Sequence, residues 1–186
     1  MNRPMGWHPN PQAMAAVSKR QDYMGHELLS SPVDGDTWLT PRYILSCLGS
    51  FDLDPCAAES NPGWVGPGRR FTIKDDGLRQ PWSGRVFMNP PFSHSAIWIV
   101  RHAEHGQGIS LVAASVESRV WRDVVWKRAK GILLLHGRTR FANPDGSLTT
   151  GRPLRSIALI GWSDVDALIL RSCPLAGVFL NCWDQR

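Results

Sequence analysis

Residues 85–92, which read RVFMNPPF, decide the fold class of this chain. The first half of this stretch predicts a buried β-strand, because it is apolar and contains β-branched and aromatic residues. The strand must end at Asn89, since the two prolines that follow lack the N–H donors that a strand ladder needs. Residues 95–105 then carry apolar side chains at helical spacing. A buried strand, a stiff turn and an amphipathic helix in succession predict an α/β fold.

Outward from this unit, strands and helices alternate along the chain. Further strands are predicted at 51–54, 70–73, 108–116, 132–135, 156–162 and 178–180, and further helices at 41–48, 120–129 and 165–170. Thr40 is the expected N-cap of the first helix. We expect a three-layer α/β architecture with a mostly parallel sheet and right-handed crossovers. Ligands bind such sheets at the carboxyl ends of the strands, where residues 54–55 and 89–92 both lie.

Length and composition are those of an ordinary globular protein. The chain has 186 residues, of which 42% are hydrophobic and 20% are charged, and this excludes a collagen, a coiled-coil rod and a disordered acidic chain. We expect a single domain at 37–186, preceded by a proline-punctuated arm at 1–36 that is poorly ordered or docked. No uncharged apolar run is long enough to cross a bilayer, and residues 1–20 lack the apolar core of a signal peptide.

Cysteine and histidine spacing gives no support for a metal site. The four cysteines form no C-x-x-C pair, and the six histidines show no paired spacing. We therefore expect no metal, and free thiols in a reducing compartment.

Charge points to an anionic partner. The net charge is +5, with 17 arginines and 4 lysines, and residues 117–155 hold nine basic and three acidic side chains. Arginine presents a planar fork that suits phosphates and base edges. Nucleic acid is one interpretation of this stretch, and a solvated basic surface is the alternative.

The stretch at 89–92 has the equipment to hold an amino group on an aromatic base. The Asn89 side-chain oxygen and the Pro90 carbonyl can accept N–H bonds, and the Phe92 ring offers a face on which a planar base stacks. The alternative is that Pro90-Pro91 merely ends a strand and that Phe92 belongs to the core. Its place at the end of a buried strand favours the functional interpretation.

Asn-Pro-Pro-Phe resembles the (D/N/S)-P-P-(Y/F/W) catalytic motif of amino-methyltransferases that use S-adenosylmethionine. Other stretches match in the expected order: W-L-T-P at 38–41, F-D-L-D-P-C-A at 51–57, D-G-L at 76–78, Trp82, and G-R-x-x-F at 137–141. The ordered set resembles the phage-type DNA N-6-adenine methyltransferase family over about residues 38–141.

This resemblance implies a Rossmann-like S-adenosylmethionine methyltransferase sheet. It also implies methyl transfer from that cofactor to the N6 of adenine in double-stranded DNA by base flipping, inside the bacterial host of a phage or prophage. The sequence leaves the oligomeric state open, a monomer included. The implied catalytic residues are Asn89, Pro90, Pro91 and Phe92. The implied cofactor-binding residues are Trp38, Thr40, Pro41, Asp54, Pro55, Cys56, Ala57 and Asp76. The candidate DNA-binding residues are Arg119, Arg122, Arg138, Arg140, Arg152 and Arg155.

The sequence departs from the wider methyltransferase pattern in two places. No G-x-G follows the first strand, and residues 56–75 barely accommodate a helix and a second strand, so we expect a sheet trimmed there. An acidic ribose ligand is hard to place, and Glu59 is only a weak candidate. The alternative functions are methylation of another amine (cytosine N4, RNA adenine or protein glutamine) and DNA binding without catalysis.

Overall fold

The computed structural model describes residues 10–11, 38–60, 68–143, 145–149 and 156–182. Seven strands of this part form one sheet in the order β2-β1-β3-β4-β6-β5-β7. They are β1 (Leu53–Asp54), β2 (Arg69–Arg70), β3 (Val86–Met88), β4 (Gly108–Ala113), β5 (Gly131–Leu135), β6 (Ile157–Gly161) and β7 (Gly177–Asn181). The predicted α/β class with a mostly parallel sheet is confirmed, because five of the seven strands run in one direction.

Two strands, β6 and β7, run against the others. β6 lies between β4 and β5 and is antiparallel to both, and β7 is antiparallel to β5 at the sheet edge. The described part of the connection from β5 to β6 contains no helix. A parallel return needs a crossover of a dozen or more residues, usually helical, whereas a strand that returns beside its predecessor without one runs antiparallel. The reversal of these two strands was not predicted.

Helices cover both faces of the sheet. They are α1 (Arg42–Leu45), α2 (Ser95–His105), α3 (Trp126–Arg128), which directly follows a π-helical turn at Trp121–Val125, and α4 (Asp164–Ser172). The bounds of α2 agree with those predicted. α1 is shorter than the predicted 41–48, and its N-cap is Pro41 with no side-chain cap bond. The prediction that Thr40 caps this helix is wrong, because the Thr40 hydroxyl instead accepts a hydrogen bond from the Asn89 side chain.

The alternation of side chains along the strands builds two apolar cores. In β3, Val86 and Met88 face the core under α2, and Phe87 faces the core under α1 and α4. All three are at most 1% exposed. Strands buried on both faces stabilise the sheet by apolar burial, at about 25 cal/mol per Å². This burial makes the sheet the rigid support from which its strand ends project.

One buried carboxylate joins β3, β4 and α4 at the end of the sheet where β3 and β4 begin. Asp166, 1% exposed, accepts hydrogen bonds from Arg85 Nε (2.7 Å) and from the Gly108 N–H (2.7 Å). The Ser163 hydroxyl donates to the same carboxylate (2.5 Å) and caps α4. Arg85 also donates to the Leu48 carbonyl (2.7 Å). These bonds fix where β3, β4 and α4 begin.

A histidine, His102, lies fully buried near Asp166. His102 Nδ1 lies 2.8 Å from the Ser110 hydroxyl, and its Nε2 lies 3.0 Å from the Gln107 carbonyl. Trp162 donates to the same hydroxyl (2.8 Å). Burial lowers the pKa of His102 to about 3, so the ring is neutral in the folded protein.

The neutral His102 predicts acid lability. Between the unfolded pKa of 6.5 and the folded pKa of about 3, the unfolded chain binds a proton that the folded chain does not, so stability falls as the pH is lowered through this window. From pH 7 to pH 5 this group alone should remove about 2 kcal/mol of unfolding free energy. Urea titrations at several pH values measure it. His102→Asn should flatten the dependence, whereas His136→Gln, at an exposed histidine, should keep the wild-type slope.

Candidate active site

The candidate site lies at the carboxyl ends of β1 and β3, which are neighbours in the sheet. Pro55 follows β1 and Asn89 follows β3, so both motifs leave the sheet at the same edge. The Asn89 backbone N–H donates to the Cys56 thiol, which joins the two exits directly. The turns at Pro55 and Asn89 therefore adjoin each other at the carboxyl end of the sheet.

The side-chain amide of Asn89 is held in one orientation. Its Nδ2 donates to the Trp38 carbonyl (2.5 Å) and to the Thr40 hydroxyl (3.1 Å). An amide nitrogen has two hydrogens, and both are used here. The acceptor Oδ1 is therefore the polar atom of this side chain that remains to meet a ligand. Thr40 is fully buried, with its hydroxyl on Asn89.

Three aromatic rings stand beside this amide. Phe141 is fully buried. Its ring centroid lies 5.6 Å from that of Trp38, in a tilted pair, and 5.9 Å from that of Phe92, in an edge-to-face pair. The Ala142 N–H donates to the Leu39 carbonyl (2.8 Å), which pairs the two chain segments. Phe141 thus supports the half-buried Phe92 from behind, a role that its motif alone did not indicate.

The carboxyl group of Asp54 is buried at the end of β1. It is 5% exposed, and its Oδ1 accepts a hydrogen bond from the Cys56 N–H (3.1 Å). Burial raises its pKa to about 7, against the smaller opposing effects of the Cys56 hydrogen bonds and the Arg70 charge. Burial and Asp54 together raise the pKa of Cys56 well above its usual value. Asp54 thus caps the turn after β1, and no ion pair joins its carboxyl to a cation of the described residues.

The D-G-L turn packs against the turn after β1. A Cβ on Gly77 would lie 1.8 Å from the Pro55 carbonyl oxygen, so the backbones touch and a larger residue is excluded. Trp82 donates from Nε1 to the Gly77 carbonyl (2.8 Å). Asp76 has a left-handed backbone, with φ of +50°, and its carboxylate lies 3.3 Å from Arg79 Nε. Functional sites often hold such strained residues.

The remaining predicted cofactor residues lie in the same region. Pro41, Pro55 and Ala57 are buried, and Cys56 is half-buried. Glu59, the weak ribose candidate, is exposed and forms an ion pair with Lys74 (3.0 Å). The structure thus brings the 38–41, 54–57, 76–78 and 89–92 segments together through direct contacts.

The predicted DNA-binding arginines are only partly described. Arg119, Arg122, Arg138 and Arg140 are exposed, and Arg152 and Arg155 lie outside the described residues. Arg122 donates to both oxygens of Asp123 (2.9 and 2.8 Å), so part of its charge is already neutralised. The sequence count of basic residues did not reveal this pairing.

Metal-binding clusters and membrane-spanning helices are absent from the described residues. In the ranges that the structure describes, no group of three or more His, Cys, Asp or Glu side chains could hold a metal ion. No helix there has the length and apolar character needed to cross a membrane.

A comparison with known protein families identifies the family of this chain. A family model described as DNA N-6-adenine-methyltransferase (Dam) matches residues 30–162. The chain belongs to this family. The Dam match covers every motif segment at the site, and membership implies DNA N-6-adenine methyltransferase activity in general. No curated protein and no solved structure matches the chain.

Proposed function

We propose that this protein transfers a methyl group from S-adenosylmethionine to the exocyclic N6 of an adenine in double-stranded DNA. The observation that carries the proposal is the fixed amide of Asn89, whose two N–H groups are held by Trp38 and Thr40. A fixed amide presents only its oxygen, and an amine to be methylated needs acceptors for its own N–H groups.

The residues at the end of β3 orient the amine. Asn89 Oδ1 and the Pro90 carbonyl accept its two N–H bonds, which directs the nitrogen lone pair away from them. Phe92, supported by Phe141, gives the base a stacking face. S-adenosylmethionine supplies an electrophilic sulfonium methyl when bound. Holding amine and methyl in line at about 3–3.5 Å is then the main catalytic task of the protein. A paired adenine must be flipped out of the duplex to reach this site.

The buried Asp54 fits a cationic cofactor. A carboxyl with a pKa near 7 is poorly stabilised as an anion, so it gains from a positive partner. S-adenosylmethionine carries an ammonium and a sulfonium. We assign Asp54 and the neighbouring turn of Pro55, Cys56 and Ala57 to its binding, with Asp76 across the Gly77 contact.

Asp54→Asn should reveal this role by calorimetry. At pH 7 the carboxyl is about half protonated, so cofactor binding should release about half a proton from the wild type and none from the variant. The binding enthalpy measured in buffers of different ionisation enthalpy gives that number. The variant should bind the cofactor at least about tenfold more weakly, while melting higher than the wild type at pH 8, because a buried charge is gone. Equal affinity and equal proton release in both proteins would remove Asp54 from the cofactor site.

The exposed arginines support contact with the DNA backbone. Arg119, Arg138 and Arg140 are exposed at or beyond the strand ends, and phosphate contacts of this kind position a protein without reading sequence. We extend the proposed DNA contact to Arg122 and, from the sequence alone, to Arg152 and Arg155.

The wider setting is also proposed. Residues 37–186 form one methyltransferase domain. Along the described part of its chain, the one strand between β1 and β3 is the two-residue strand β2. We infer that the arm docks on the domain at Asn10, whose N–H donates to Glu104 on α2 (3.2 Å). We place the protein in the bacterial cytoplasm, encoded by a phage or prophage and able to act as a monomer.

The decisive experiment is a methyl-transfer assay. The full chain is incubated with radiolabelled S-adenosylmethionine and unmethylated duplex DNA, and the nucleosides are then separated. Label in N6-methyl-2′-deoxyadenosine supports the proposal. Label in N4-methylcytosine, or in RNA or protein but not in DNA, would replace it with one of the other amine substrates. DNA binding without label would favour a catalytically inactive relative.

A further inference from the structure

Two cysteines that are far apart in the sequence meet on the face of the sheet that α1 and α4 cover. The Sγ atoms of Cys47 and Cys173 lie 2.6 Å apart, about half an ångström beyond the roughly 2.05 Å of a disulfide bond. Both side chains are half-buried and pack against the same apolar core. Neither belongs to the candidate active site.

The backbone holds both cysteines in place. Cys47 follows α1, where its N–H donates to the Ile44 carbonyl (3.4 Å) and its thiol donates to the same carbonyl (3.0 Å). Cys173 is the C-cap of α4, and its N–H donates to the Leu170 carbonyl (3.3 Å). Since both thiols are already in contact, a bond between them needs only a small displacement.

We propose that Cys47 and Cys173 form a reversible intramolecular disulfide that links the segment after α1 to the end of α4. The pair is free in a reducing environment and closes on exposure to an oxidant. One short helix, α1, separates Thr40 from Cys47, so the bond fastens the chain close to the two residues that hold the Asn89 amide.

A low-molecular-weight disulfide such as oxidised glutathione is a sufficient oxidant. One protein thiolate attacks it and releases one glutathione thiolate. The second protein sulfur then attacks the mixed disulfide and releases the other glutathione. The two protein thiols lose two electrons and two protons in total, and the oxidant is reduced to two thiols. Burial, with a further contribution from Cys173, raises the pKa of Cys47 to about 12, which disfavours Cys47 as the first nucleophile.

The test is oxidation of the purified full-length chain with oxidised glutathione. The thiols counted after denaturation should fall from four to two per chain, and peptide mapping should recover one cross-linked peptide containing Cys47 and Cys173. The melting temperature should rise by about 5–15 °C, because the crosslink closes a long loop in the unfolded chain. Dithiothreitol should restore both values.

The variants separate this pair from the other thiols. Cys182→Ser, at a cysteine outside the pair, should still lose two thiols on oxidation, whereas Cys173→Ser should lose none to an internal bond. If Cys173→Ser does not fold, the peptide map of the wild type still decides. Mixed disulfides with glutathione alone, intermolecular dimers, or an oxidised form that melts no higher than the reduced form would each overturn the proposal.

Discussion

Asn89→Ala should lower the turnover number of methyl transfer by about 10²–10³, the usual effect of losing one well-placed hydrogen bond to the transition state. The variant should bind cofactor and DNA nearly as the wild type does, because the flipped base is the only ligand that the amide oxygen is proposed to contact. Single-turnover transfer to a duplex, with 2-aminopurine fluorescence to report flipping, measures the two effects separately. A variant that methylates at the wild-type rate would reduce residues 89–92 to a strand terminator.

The matched controls use the two partners of that amide and an unrelated asparagine. Thr40→Val keeps the shape and removes the acceptor for Nδ2, so kcat should fall by about fivefold with no change in cofactor affinity, since one net hydrogen bond is worth about 1 kcal/mol. A fall in cofactor affinity instead would support the cofactor role expected from the sequence. Asn181→Ala, on the edge strand β7, should leave transfer unchanged.

Asp166→Ala should destabilise the folded protein by about 3–5 kcal/mol, the cost of breaking a buried ion pair on one side. The change leaves the guanidinium of Arg85, only 19% exposed, without its carboxylate, and it strands the Gly108 N–H. Urea unfolding at pH 7 measures the loss.

Asp164→Ala is the control for this change because it removes a carboxylate from the same helical turn. Asp164 is 67% exposed and lies 3.7 Å from Lys130, so its loss should cost less than about 1 kcal/mol. Equal losses of stability for the Asp166 and Asp164 variants would show that the buried hydrogen bonds of Asp166 contribute no more than a surface charge does.

The parts of the fold that the sequence predicted well are those with strong local periodicity. α2 begins and ends as predicted because its apolar spacing is regular and Gly106, with φ of +79°, stops it. β3 was evident because apolar residues precede two prolines. The reversed direction of β6 and β7 was not evident, since apolar runs of equal character serve parallel and antiparallel strands alike.

The sequence predicted which residues form the candidate site better than it predicted the hydrogen bonds between them. The motif residues of four segments meet at one sheet edge, as their order implied. The bonds from Asn89 to Trp38 and Thr40 span about 50 positions of sequence, and no local pattern encodes them. Thr40 was predicted to be a helix cap because threonine before proline is a good local signal, but its hydroxyl bonds to the distant Asn89 instead. The pairing of Arg122 with Asp123 likewise depends on side-chain geometry rather than on charge counting.

One of the two groups that hold Asn89 is a peptide carbonyl, which the genetic code cannot remove. Every amino acid at position 38 would supply the same oxygen, so codon changes there alter the packing on Phe141 but not the acceptor itself. Position 40 has no such protection, because its contribution is a hydroxyl that only threonine and serine provide in similar geometry. Under selection for activity, descendants of this gene should therefore accept more kinds of residue at 38 than at 40.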